Sequence, residues 1–133
     1  MCNDNTNCCL SDLLCQILML QNRGEECDNL EGCDKPFLGP TLSTICYNTR
    51  PVSFYNCQTG SLWNINYTIN GTTATSDVFR VENVDNCCCT CRILIADETD
   101  PANITYTATN QFFTIDLGCV SCVQCHPDVV LDL

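Results

Sequence analysis

The chain begins with a helical pattern of apolar residues and continues with a series of short β patterns. Between residues 11 and 22, apolar side chains such as Leu14 and Ile17 recur at the spacing of one helix face. Ser11 is placed to cap this segment at its start, and Gly24 is placed to end it in the left-handed conformation. We therefore predict a short helix over about residues 11–22 that covers one side of a sheet.

Short β patterns fill most of the chain after residue 44. Apolar and polar residues alternate clearly over 62–69 and 112–117. Asn70-Gly71 is typical of a two-residue hairpin turn, and Asn110-Gln111 is predicted to separate two strands. The predicted strands cover residues 45–48, 52–57, 62–69, 77–84, 89–96, 104–108, 112–117 and 120–123. Short strands at nearly even spacing predict a mainly β fold, an antiparallel β-sandwich or small barrel with a short N-terminal helix.

The length of 133 residues suits a single domain. The first nine residues, MCNDNTNCC, are mostly polar and include three cysteines. Residues 1–10 are therefore expected to form a flexible, cysteine-rich arm. Residues 11–133 are expected to form one β-rich assembly domain. A chain of this size buries enough surface to fold without disulfides, so its many cysteines need another explanation.

Charge narrows the range of partners. Sixteen acidic residues face five basic ones, which gives a formal net charge of −11. Nucleic acid and anionic membranes are disfavoured, because both attract basic surfaces. No apolar stretch is long enough to span a bilayer, and no signal peptide is recognisable, so we expect synthesis in a cytosol. Disulfides rarely persist there, which conflicts with the cysteine content.

The chain contains 15 cysteines, an odd number, so at least one must stay free, join another chain or bind something else. Several are adjacent, and one domain cannot pair them all within itself. Because neighbouring strand residues point to opposite faces, Cys87 and Cys89 are expected on one face, with Cys88 and Cys91 nearer the other. The candidates for crosslinks between copies are Cys2, Cys8, Cys9, Cys15, Cys87, Cys88, Cys89, Cys91, Cys119, Cys122 and Cys125.

The C-terminal cysteines also suit two other chemistries. Cys119, Cys122, Cys125 and His126 have the spacing of zinc or iron–sulfur ligands, so a thiolate metal-binding protein is the main alternative. A second CxxC pair at zinc-finger separation is missing, and we expect no metal or other cofactor. A thiol oxidoreductase acting through Cys122 and Cys125 would need a thioredoxin-like βαβ unit. A catalytic cysteine would need a histidine as its base, and the only histidine, His126, directly follows Cys125 and is expected to point away from it. We therefore expect no catalytic residues and no enzyme.

Four runs of residues carry a resemblance to a known family. They are CDKPFLGP at 33–40, NTRP at 48–51, VFRVENVD at 78–85 with the cysteine cluster after it, and FTIDLGCVSCVQC at 113–125. In this order they resemble the CotY/CotZ family of Bacillus-type spore crust and exosporium proteins. The similarity covers most of the chain, although this chain is shorter and its cysteine clusters are denser.

The resemblance implies a structural protein that assembles with its own copies into a disulfide-crosslinked, often hexagonal two-dimensional lattice. It implies a location in the exosporium or outer coat, with other spore coat proteins as further partners. It also removes the conflict over compartments, because such proteins are made in the mother-cell cytosol and later meet oxidising conditions. A subunit of a disulfide-linked spore appendage or filament is a related alternative.

Overall fold

The computed structural model describes residues 9–27 and 47–133, with side chains described outside residues 25–27. The fold is mainly β, with antiparallel sheets and one N-terminal helix, which confirms the predicted fold class. The elements are helix α1 (Cys9–Cys27) and strands β1 (Val52–Asn56), β2 (Ile65–Ile69), β3 (Thr72–Ser76), β4 (Phe79–Asp85), β5 (Cys88–Asp97), β6 (Thr105–Asp116) and β7 (Val120–Cys125). Residues 1–8, most of the expected arm, lie outside the described residues.

Five strands form one sheet in the order β6-β5-β4-β1-β7, and β2 pairs with β3 in a separate hairpin. Every pairing is antiparallel. The first strand therefore lies between β4 and β7, so Val52 pairs with Phe79 on one side and with Cys125 on the other. The last strand, β7, forms one edge of the sheet.

The main core lies on the face of the sheet that carries the inward side chains of β1, β4 and β5. Phe79 is fully buried; its ring stacks on that of Phe54 at 5.9 Å between centroids and meets the edge of Phe113 at 4.7 Å. Leu14 and Ile17 of α1 belong to the same core. Trp63, Ile65 and Tyr67, from the hairpin region, pack against it as well. The helix and the hairpin thus share one hydrophobic core with the sheet.

A second, smaller core fixes the C-terminal segment. Val78, Leu94 and Leu131 are buried together, and Val129 packs against them. Val129 also exchanges backbone hydrogen bonds with Thr49, at 3.2 and 2.9 Å. The chain after β7 is therefore held to the segment that leads into β1.

An ion pair holds the same C-terminal segment. Arg50 donates from Nε and Nη2 to the two carboxylate oxygens of Asp128, at 2.7 and 3.0 Å. This hydrogen bonding lowers the pKa of Asp128 and raises that of Arg50. About a third of each side chain stays exposed, so water screens the pair and its contribution to stability is small.

The helix is longer than the predicted one at both ends, and polar side chains fasten it to the sheet. Ser11 lies inside the helix rather than at its cap, and its hydroxyl donates to the carbonyl of Asn86 at 2.7 Å. Gln21 is buried, donates to the carbonyl of Val81 at 2.8 Å, and accepts from the N–H of Arg50 at 3.2 Å. Val81 borders a register shift in β4, so Gln21 satisfies a carbonyl at an irregularity of the ladder.

Gly24 does not end the helix as predicted, because α1 continues to Cys27. Its role is a close approach instead. A Cβ atom at position 24 would lie 1.7 Å from the carbonyl oxygen of Tyr47. Only glycine lets the last turns of α1 pass so close to the chain that leads into β1.

The predicted turns and strands agree with the structure in part. Asn70 and Gly71 have φ angles of 53° and 78° and close the β2–β3 hairpin, as predicted. The sequence pattern missed β3 itself. Tyr47 and Asn48, half of the predicted strand 45–48, lie outside any strand, and the other half lies outside the described residues.

The predicted break at Asn110-Gln111 is wrong, because β6 runs without interruption from Thr105 to Asp116. The strand absorbs the extra residues as an irregularity opposite Arg92 and Leu94. The hydroxyl of Thr109 donates there to the carbonyl of Ile93 at 2.7 Å, which holds the irregular section to β5.

In the described part of the chain, no helix is long and apolar enough to cross a membrane.

We predict that Gly24→Ala destabilises the protein, although the same change in an exposed helix usually stabilises it by up to about 1 kcal/mol. The new methyl group overlaps the backbone at Tyr47, which must shift at a cost of about 2 kcal/mol or more. Urea denaturation under reducing conditions measures the change. Gln16→Ala, at an exposed position in the same helix, is the control and should change stability by less than about 0.5 kcal/mol. A Gly24→Ala variant as stable as the wild type would contradict the close approach.

Candidate functional site

The cysteines whose side chains are described fall into three classes. Six are free and exposed: Cys9, Cys57, Cys88, Cys119, Cys122 and Cys125. Two are free and buried: Cys89 and Cys91. Cys15 and Cys87 are not free thiols, since each is disulfide-bonded. Of the predicted crosslink candidates, Cys2 and Cys8 lie outside the described residues.

The two buried thiols lie side by side in the main core. Cys89 and Cys91 are both fully buried, and their sulfur atoms are 3.5 Å apart. The contact with Cys89, followed by burial, raises the pKa of the Cys91 thiol. The expected placement of Cys91 near the face of Cys88 is wrong, because residues two apart in a strand share a face. Neither buried sulfur can reach a neighbouring molecule while the domain stays folded.

Cys88 lies at the opposite side of the same strand. It follows the turn between β4 and β5, where Asn86 has a φ of 54°, and it pairs with Asp116 of β6. Because side chains alternate along β5, burial of Cys89 directs Cys88 to the surface. The dense cysteine run is thus divided between the core and the exterior.

The edge strand β7 carries exposed thiols on both of its sides. Cys122 pairs with Tyr55 and Cys125 pairs with Val52, so the two sulfurs project to opposite faces of the sheet. In the described part of the chain, β7 pairs with β1 alone. No described strand pairs with its outer backbone groups, as is the case for an edge strand. Both sulfurs are exposed.

Cys57 and Cys119 meet just beyond the end of the β1–β7 ladder. The backbone N–H of Cys57 donates to the carbonyl of Cys119 at 3.0 Å. Cys57 was not among the predicted crosslink candidates. Its partner is far away in sequence, and no local pattern indicates that the first strand pairs with the last.

The predicted alternative metal ligands do not converge. His126 lies 2.9 Å from the hydroxyl of Ser53 through its Nε2 atom, while Cys122 and Cys125 project to opposite faces. Across residues 9–24 and 47–133, no three His, Cys, Asp or Glu side chains come together as a possible metal site. The Ser53 hydroxyl also donates its proton to the carbonyl of Asp77 at 2.7 Å.

Most of the basic side chains are engaged within the domain. Arg80 is buried, pairs with Glu82, and donates to Thr49 at 2.9 Å. Arg92 approaches the same Glu82 at 3.4 Å and lies over the ring of Phe112 at 4.7 Å. Together with Arg50, three of the five basic residues are paired internally. Among the described residues, the charges left unpaired are therefore mainly acidic.

Comparison with known protein families gives a match over most of the chain. The family model described as Spore coat protein Z matches residues 1–107. No curated protein and no solved structure matches the chain. The matched region includes α1, β1 to β5 and the cysteine run before Arg92, and it ends before β7.

We predict that the two classes of free thiol differ strongly in reactivity towards iodoacetamide. In reduced, folded protein, Cys88 should be modified at least about tenfold faster than Cys89 and Cys91, because the buried sulfurs are shielded from reagent and Cys91 resists deprotonation. Trypsin releases all three within residues 81–92, so mass spectrometry of this peptide over time compares them directly. Unfolding in guanidinium chloride is the control and should equalise the rates. Equal rates in the folded protein would contradict the described core.

Proposed function

Because the chain belongs to the spore coat protein Z family, we propose that it is a structural protein that assembles with its own copies at the spore surface. The assembly is a two-dimensional layer crosslinked by disulfides. The observation that carries this proposal comes from the described residues, which include six exposed free thiols and two further free thiols buried in the core. The proposal includes no enzymatic role.

The distribution of exposed thiols supports contacts in several directions. Cys9 lies at the start of α1, Cys88 at the turn between β4 and β5, and Cys122 and Cys125 on the edge strand β7. A layer requires each copy to contact neighbours through more than one interface, whereas a single reactive site yields only dimers. A closed ring of six copies, joined to other rings through a second interface, gives the hexagonal layer.

The charge of the protein explains why such a layer needs covalent bonds. Copies with a formal charge of −11 repel one another, and internal pairing of Arg50, Arg80 and Arg92 leaves few cations to offset the repulsion. Disulfides oppose the repulsion and make dissociation depend on bond cleavage, so the layer becomes kinetically resistant. Other spore coat or exosporium proteins are further partners. Synthesis in the mother-cell cytosol keeps the thiols reduced until the outer layers form.

We predict that purified protein, oxidised at high concentration, forms extended sheets visible by negative-stain electron microscopy. The same material should stay at the top of an SDS gel without reductant and run as a monomer with it, since the links between copies are disulfides. Filaments in place of sheets would support the appendage alternative. Monomers that persist through oxidation would contradict the proposal.

We also predict that the thiols of the edge strand are needed for crosslinking. The double variant Cys122→Ser, Cys125→Ser should show at least a severalfold loss of SDS-resistant species, because it removes the exposed sulfurs from both sides of β7. The matched control is Ser121→Ala, Gln124→Ala, which changes exposed residues of the same strand and keeps every thiol. Densitometry of gels run without reductant compares the two. Equal crosslinking in both variants would show that the thiols of β7 do not form the links between copies.

A further inference from the structure

We propose that Cys57 and Cys119 form a disulfide within one chain, and that this bond fastens the edge strand β7 to β1. Both are exposed, free thiols. The inference goes beyond the proposed function, because it concerns a bond inside a single molecule and does not require assembly. It also assigns a role to Cys57, which the sequence pattern did not single out.

The backbone places the two residues opposite each other. Asn56 pairs with Val120 at the end of the β1–β7 ladder, so the next residue on each strand, Cys57 and Cys119, continues the same register. The 3.0 Å hydrogen bond from the Cys57 N–H to the Cys119 carbonyl confirms that the strands remain adjacent there. Directly opposed residues of antiparallel strands have Cα atoms about 4.5 to 5.5 Å apart, which lies within the range that a disulfide spans.

The chain around Cys57 is held by a tight turn. The Asn56 N–H donates to the carbonyl of Ser61, and the Gly60 N–H donates to the carbonyl of Asn56, both at 2.8 Å. The Cys57 sulfur lies 4.0 Å from the carbonyl of Gly118, the residue before Cys119. The first sulfur therefore already lies against the segment that carries the second.

The chain around Cys119 is held as well. Leu117–Cys119 form one turn of 3-10 helix, and the Asp116 carboxylate accepts from the N–H of Gly118 at 2.9 Å. Since both backbones are fixed, forming the bond requires side-chain rotation rather than movement of the strands. The two thiols of β7 itself are farther from Cys57 along the ladder, because Cys122 and Cys125 lie opposite Tyr55 and Val52.

The oxidant is a small-molecule disulfide such as oxidised glutathione. One cysteine loses its proton, and its thiolate attacks the small disulfide, forming a mixed disulfide and releasing one small thiol. The thiolate of the second cysteine then attacks the protein sulfur of the mixed disulfide and releases the other small thiol. Two electrons pass from the two cysteines to the small disulfide, and both protons end on the released thiols or in water.

The bond has a consequence for the exposed thiols. It leaves Cys9, Cys88, Cys122 and Cys125 as the exposed sulfurs available to neighbours in the described part of the chain. It also joins residues that are far apart in sequence, which restricts the unfolded chain. The strand that carries Cys122 and Cys125 is then held on the sheet while its outer edge stays open.

The test begins with reduced full-length protein, diluted to submicromolar concentration and treated with oxidised glutathione. Remaining thiols are blocked with iodoacetamide, and the monomer-sized fraction is isolated without reductant and digested with chymotrypsin. Cleavage after Tyr55 and Leu62 leaves Cys57 as the only cysteine of its peptide. Fragmentation of the linked species identifies its partner, which we expect to be Cys119. Linkage of Cys57 to any other cysteine, or recovery of Cys57 and Cys119 both alkylated, would overturn the proposal.

Thermal unfolding gives a second, independent readout. Oxidised monomeric wild type should melt on the order of 10 °C higher than the oxidised variant Cys57→Ser, Cys119→Ser, and the two should melt together when reduced. Cys122→Ser is the matched control and should keep the full gain on oxidation. Equal melting of oxidised wild type and double variant would count against the bond. Failure of the protein to form layers would leave both results unchanged, so this test is separate from that of the proposed function.

Discussion

Side chains alternate between the two faces of each strand, and in β5 this alternation separates buried thiols from an exposed one. In β5 it directs Cys89 and Cys91 into the core, against Phe113 and Ile115 of the neighbouring strand, and leaves Cys88 outside. A shift of one residue in this register would expose the buried pair and bury Cys88. The hydrophobic core thereby determines which thiols a neighbouring molecule can reach.

In the proposed account, covalent bonds between copies oppose the repulsion between their charged surfaces. The domain folds around its own apolar residues, and its arginines are largely used in internal ion pairs. Among the described residues, the charges left unpaired are mainly acidic, and a formal charge of −11 opposes contact between copies. In the proposed account, disulfides between exposed thiols hold the copies together against this repulsion, and they form only under oxidising conditions. In the proposed account, assembly is therefore delayed until the chemistry of the surroundings changes.

The features that follow from local patterns were predictable. The apolar spacing of Leu14 and Ile17 predicts the helix, and Asn70-Gly71 predicts the hairpin turn, because each depends on residues close in sequence. The features set by distant contacts were not. Gly24 looks like a helix end, but the chain at Tyr47 passes beside it and the helix continues.

For the exposed and buried thiols, too, local sequence patterns were predictive and distant contacts were not. The clusters at 87–91 and 119–125 stand out in the sequence, and Cys88, Cys122 and Cys125 are indeed exposed. Burial of Cys91 depends on the face of the sheet that α1 and the hairpin region cover, and the proximity of Cys57 to Cys119 depends on the pairing of the first strand with the last. Neither relation leaves a signal within a short window of sequence.

The most direct test of the central claim is to map disulfides in layers assembled from equal amounts of unlabelled and ¹⁵N-labelled protein. About half of the bonds between copies join one labelled and one unlabelled peptide, because labelled and unlabelled chains pair at random, whereas bonds within a copy never do. The account predicts mixed pairs that involve Cys88, Cys122 or Cys125, and none that involve Cys89 or Cys91. Linked peptides that are all of a single isotope would show that the sulfurs are satisfied within each chain, which would contradict the account.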